Sequence, residues 1–177
     1  TYHIRADELA RPLRSARPQQ RYGIDGVVLR QFADVVGSTL RRWNFPLQGV
    51  VEMDDQSLDF RVAGRGRSAN GKGYRALLNS AFVLSVLRYC DGRGLPHPGV
   101  LILDSPLTTF RQDRKILAED SDRVHASFLA DLLASPEGHQ IIVLENTEIS
   151  DDVRGRLNHI EFSREKSGAV SYTHLRA

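Results

Sequence analysis

The sequence predicts an α/β fold with a parallel core sheet and a small antiparallel hairpin, on three observations. The runs "VLILD" at 100–104 and "QIIVLEN" at 140–146 are short, almost wholly apolar, and end on polar residues, as strands buried on both faces do. A helical stretch lies between them, and strand, helix, strand at this spacing reads as a βαβ unit. Upstream, "LDFRVAG" at 58–64 alternates Leu58, Phe60 and Val62 with Asp59 and Arg61, the period of a strand with one wet face.

The elements follow in order. Residues 1–23 are rich in arginine and proline and read as a linker or the end of a longer helical region, while 24–169 form one lobe. From Ile24, the apolar residues Val28, Leu29, Phe32, Val35, Val36 and Leu40 recur every three or four positions, which predicts a helix ending before Pro46. Trp43 is expected to anchor that helix to the hairpin. The hairpin strands are "GVVEM" and "LDFRVAG", joined by a turn at 54–57. A glycine-rich loop follows, then a buried helix over 74–89. "DGRGLPHPG" breaks the chain before the first apolar strand, and "DSPLTTFRQDRK" reads as a polar loop. A second amphipathic helix spans about 120–134, with Val124, Phe128, Leu129, Leu132 and Leu133 inward. Ser150 before Asp151 and Asp152 marks another helix start. The final "VSYTHLRA", 170–177, is similar to the translation of a common sequencing adapter, so His174 and Arg176 carry no functional role.

Composition narrows the function class. With 177 residues, 41% hydrophobic and 26% charged, one globular core is the default. The net charge of +2 gives no strong pull towards nucleic acid or a membrane surface. A single cysteine, Cys90, excludes an internal disulfide framework and a cysteine-rich metal site, and a reducing cytoplasm fits. No run of about 18 apolar residues exists, so no helical membrane span is expected. His125, His139 and His159 share no metal-ligand spacing, and His97, between two prolines, reads as a turn-fixing residue.

Residues 66–73, "GRSANGKG", match the phosphate-cradling pattern G-x-x-x-x-G-K-[ST] except at Gly73, which cannot supply the metal-binding hydroxyl. The strand before it alternates with charges, whereas a phosphate-binding loop of that kind leaves a strand that is apolar on both faces. A self-contained P-loop kinase or GTPase using Lys72 therefore ranks last. A glycine-rich loop opening a helix, flanked by Arg65, Arg67 and Arg75, still makes an anion site through its amides and the helix dipole. Asp104-Ser105 and Glu145-Asn146 sit at the carboxyl ends of the two apolar strands, the edge where open parallel sheets bind ligands.

Taken together, the hairpin, the loop "SANGKGYR", the apolar helix, "VLILDSP", a further helix and "IIVLEN" resemble the C-terminal half of ATPase heads in the structural maintenance of chromosomes (SMC) group, including its RecN- and RecF-like members. The resemblance covers roughly 24–167 and is strongest over 68–107. It implies the C-terminal half of a P-loop NTPase-like, ABC-type head. ATP and Mg²⁺ would be the cofactors; the N-terminal lobe of the same protein, a second copy forming a homodimer, and DNA would be the partners. Carried over, Asn70, Gly71, Lys72, Gly73 and Arg75 would form the signature loop that contacts ATP held by the opposite head. Asp104 would be the Walker B acid and metal ligand, and "LTTFRQD" after Pro106 would lie where the family has its D-loop. Ser105 stands where many members have the water-positioning glutamate, and Glu145 is an acid that could replace it. Asn146 falls near the switch histidine. A non-hydrolysing nucleotide-sensing or dimerisation module is the alternative.

Overall fold

The computed structural model describes residues 23–46, 49–111, 118–135, 138–162 and 174–176. Helix α1 (Gly26–Arg42) is capped by Asp25, whose side chain accepts from the Val27 amide at 2.7 Å. Its inner stripe is Ala33, Val36 and Leu40, while Ile24, Val27 and Val28 at its start are exposed. Trp43, just past its end, is fully buried, in the same core cluster as Phe60 and Val62 of the hairpin. Its ring packs edge-on against Phe128 of α4 (Ala118–Leu133) at 4.8 Å, so it ties helix to helix.

Strands β1 (Val51–Asp54), β2 (Asp59–Val62) and β3 (Arg65–Gly66) form an antiparallel sheet in that order, with Val51 opposite Val62 and Asp54 opposite Asp59. Phe60 and Val62 are buried as the alternation predicts. Leu58 is not: it belongs to the turn, adopts a φ of 53° and is 47% exposed, because the tight return of the chain takes it out of the pleat. The third strand is an addition to the expected hairpin, formed by the entrance of the glycine-rich loop.

Helix α2 (Lys72–Asp91) begins two residues earlier than the apolar pattern indicates, because Lys72 and Gly73 already lie in its first turn. It is the central helix of the lobe, packed against α1 and against α3 (Pro106–Arg111), with Leu77, Leu78, Ala81 and Leu84 fully buried. Helix α3 corrects the reading of 104–115 as a polar loop over Pro106–Arg111, and 112–115 lie outside the described residues. Pro106 takes the first helical position, where its missing N–H costs nothing, and Leu107 and Phe110 are buried against the core. Helix α4 buries Val124, Phe128, Leu129 and Leu132 as expected.

The second sheet holds β4 (Val100–Asp104) parallel to β5 (Gln140–Leu144), from Val100 opposite Gln140 to Asp104 opposite Leu144. The chain is therefore α/β, with a parallel two-strand core and a separate antiparallel sheet. Strand β6 (His174–Arg176), in the tail set aside above, pairs antiparallel with β5. The two apolar strands were expected to be covered on both faces. Leu103, Ile141 and Val143 point into the core, but Val100 is 44% and Ile102 61% exposed, because no layer covers the second face among the described residues. Short helix α5 (Asp151–Arg154) follows Ser150 as predicted.

Candidate functional site

The parallel register brings the candidate residues of both strands to one edge. Asp104 is paired with Leu144, about 4.8 Å away across the ladder, and the Ser105 amide donates to the Leu144 carbonyl at 2.7 Å. Asp104 is exposed there, and Asn146 is exposed one residue beyond Glu145. Ser105 turns the chain from β4 into α3 with a φ of 49°, a left-handed conformation that costs a non-glycine residue about 1 kcal/mol. Its hydroxyl donates to Asp104 Oδ1 at 2.9 Å.

Glu145 meets α3 across the sheet. Its Oε2 accepts from the Leu107 amide at 2.7 Å, and its Oε1 accepts from the Thr108 amide at 3.0 Å, from the Thr108 hydroxyl and from its own neighbour's amide, Asn146 N, at 2.9 Å. Two consecutive free amides of a helix start thus converge on one carboxylate. Thr108, which the sequence reading did not single out, also lies 3.3 Å from the Thr147 hydroxyl. The signal was present: a proline after a strand-ending acid marks a helix start, and a helix start needs an acceptor.

A strained serine between a parallel strand and a helix is also the setting of a hydrolase nucleophile. Here the residue after it is Pro106, which has no N–H to offer an oxyanion, and the hydroxyl is bound to Asp104 rather than to a histidine. Asp104 supplies one exposed carboxylate, and Mg²⁺ in phosphate sites commonly takes one or two carboxylates with the remaining ligands from phosphate and water. Among the described residues no group of three or more His, Cys, Asp or Glu side chains gathers around one point.

The glycine-rich loop is built on the other sheet. Its entrance is pinned by pairing of Arg61 with Gly66 and Val62 with Arg65, and the Asn70 side chain donates to the Gly66 carbonyl at 2.9 Å. Gly71 stands at the N-cap of α2 without a capping side chain, so the amides of Lys72 and Gly73 have no intrahelical acceptor. Lys72, Arg65 and Arg75 are exposed around this helix entrance. Arg67 is not part of that cationic set. It pairs with Asp59 at 2.7 Å, bonds to Asn79, and lies over the Phe82 ring at 4.9 Å, clamping the loop onto α2. The loop leaves an antiparallel strand, which agrees with setting aside a Walker A role.

Among the described residues, the cleft beside Glu145 and Asn146 includes no residue of the glycine-rich loop. Helix α3 runs between them: it starts beside Asp104, and Phe110 packs edge-on against Tyr74 in the first turn of α2, centroids 5.6 Å apart. Its six residues rise about 9 Å. A cleft of about 300 Å³ adjoins Glu145 and Asn146, lined also by His125, Arg154 and His159. His97 accepts the Gly99 amide at 3.0 Å, as a turn-fixing residue does. His139 lies 3.5 Å from Asp91 at the opposite end of the sheet.

No family model matches the chain, and no curated protein matches it.

Proposed function

We propose that the chain is the C-terminal lobe of an SMC-like ABC-type ATPase head, which binds ATP with Mg²⁺ as part of a larger protein acting on DNA. The observation that carries this reading is the β4–β5 pair. Two parallel strands in register lead to Asp104 at the end of one and Glu145 just past the end of the other, while the second face of the same pair, with Val100 and Ile102, stays uncovered among the described residues. A core sheet of this kind needs further strands and a covering layer, and an N-terminal lobe would supply both. The uncovered face and the acid-bearing edge then belong to one composite site.

In that site Asp104 would hold Mg²⁺, which when bound offsets phosphate charge. Asn146 would offer a hydrogen-bonding group to the terminal phosphate. Asn70, Gly71, Lys72, Gly73 and Arg75 would meet ATP carried by a second copy, through helix-start amides and two cations. This loop sits a helix length from Asp104, which suits a loop serving a nucleotide other than the one at its own acid.

Ser105 brings no carboxylate beside Asp104, and Glu145 is taken up by amides of α3. That observation favours the second reading, in which the lobe senses nucleotide and associates without turnover. In the complete protein, Asp104→Asn should abolish Mg²⁺-dependent ATP binding and any ATPase activity, and this 177-residue chain alone should show no ATPase. Turnover by the isolated chain would refute the composite site. ATP-driven association without turnover in the complete protein selects the second reading.

A further inference from the structure

We infer that Glu145 is a positioning residue, which locks α3 as a strut between the Asp104 edge and the glycine-rich loop; its effect on nucleotide response rests on the function proposed above. The residue at the N-cap of α3 is Ser105, and serine there normally accepts from the helix amides. Ser105 cannot do so here. Its φ of 49° turns the residue out of the extended conformation that a cap requires, and its hydroxyl is aimed at Asp104, to which it donates. The two open amides, Leu107 and Thr108, are served by Glu145 from the neighbouring strand, one on each carboxylate oxygen. The Thr108 hydroxyl adds a third donor from the helix.

A helix of six residues has little stability of its own and takes its position from what holds its ends. One end of α3 is held by Glu145. The other end presents Phe110, fully buried, to Tyr74, whose ring is also packed against Phe45 at 5.4 Å. Tyr74 is in the first turn of the helix that the glycine-rich loop opens. The carboxylate therefore fixes the distance between the two candidate nucleotide-facing regions without touching nucleotide itself.

The charge and both oxygens are needed for this. In Glu145→Gln one oxygen becomes an NH₂ group, which cannot accept from an amide, so one of the two α3 bonds is lost. Thr108→Val removes the third donor and leaves the carboxylate in place.

Two measurements test the assignment. In this chain, amide hydrogen exchange at Leu107 and Thr108 should accelerate about fivefold to tenfold in Glu145→Gln, while amides in the middle of α2 keep wild-type protection. In the complete protein, the same variant and Thr108→Val should bind ATP as wild type does but associate in its presence about tenfold less tightly. Asp104→Asn, by contrast, should lose Mg²⁺-dependent binding itself. Unchanged exchange at Leu107 and Thr108, or wild-type association in Glu145→Gln, overturns the assignment. Wild-type protein that fails to bind ATP at all overturns the functional reading instead, and the exchange result still decides whether Glu145 caps α3.

Discussion

The carboxylate of Asp131, on α4, accepts from Arg42 Nε at 2.7 Å, Trp43 Nε1 at 2.7 Å and Arg88 Nη1 at 2.9 Å, joining the end of α1, the end of α2 and α4 at one point. Thr39 stands beside it, accepting from Arg42 at 3.1 Å and Arg88 at 3.2 Å, with the Ser85 hydroxyl 3.3 Å away. Asp131 is 7% exposed at its side chain and Arg88 17%, so removing the acid strands a guanidinium that water reaches poorly. Asp131→Ala should therefore destabilise the chain by about 3 kcal/mol or more, read as a lowered denaturant midpoint. A loss under about 1 kcal/mol would mean that the guanidiniums find water instead. Nothing in the periodicity marks Asp131, because an acid on an amphipathic helix ordinarily faces solvent. Its partners lie 43 to 89 positions away in the chain, and only the packing of three helices reveals them.

At the scale of elements, the β1–β2 turn is organised by Asp54. Its carboxylate accepts from the Ser57 amide at 2.9 Å and the Gln56 amide at 3.0 Å, and pairs with Arg61. The Ser57 amide first, then the Gln56 amide, hold the Asp54 carboxyl below its ordinary value of 3.8, with Arg61 helping. A depressed folded value means a contribution that is present above 3.8 and fades as pH falls through the depressed one. Titration of the Ser57 amide by NMR should accordingly show a midpoint below 3.8, and a midpoint at or above it contradicts the cause given. This turn, helices α1, α2 and α4, and strands β2, β4 and β5 were all legible in the sequence, because each follows from local periodicity or turn chemistry. Helix α3 was legible only at its start, which Pro106 marks: its two inward residues, Leu107 and Phe110, are too few to show a period, and its cap comes from Glu145, remote in sequence. Strand β3 was hidden for a similar reason, since two residues of a glycine-rich segment carry no alternation. In the candidate site, the meeting of Asp104, Ser105, Glu145 and Asn146 at one edge could be foreseen from two apolar runs ending on polar residues. The bond from Glu145 to α3 could not.

On the scale of the whole molecule, the apolar residues of β4 divide between two destinations. Leu103 serves the core of this lobe, whereas Ile102, 61% exposed, serves a surface that the proposed N-terminal lobe would cover. Ile102→Lys should leave the stability of this chain within about 0.5 kcal/mol of wild type, since a largely exposed side chain loses little burial. The same change should abolish association with a separately expressed N-terminal lobe in a pull-down, and undiminished association would place the joint elsewhere. Lys at that position adds a charge to a face that must become dry, which is why the two measurements separate folding from assembly. The helical side of the molecule offers its own reporter. Trp43 is the sole tryptophan of the chain, fully buried, with its indole N–H on Asp131 and its ring on Phe128. Its fluorescence follows the docking of α1 onto α4, so a single unlabelled signal can track unfolding of the helical core while substitutions are made on the exposed face of the open sheet.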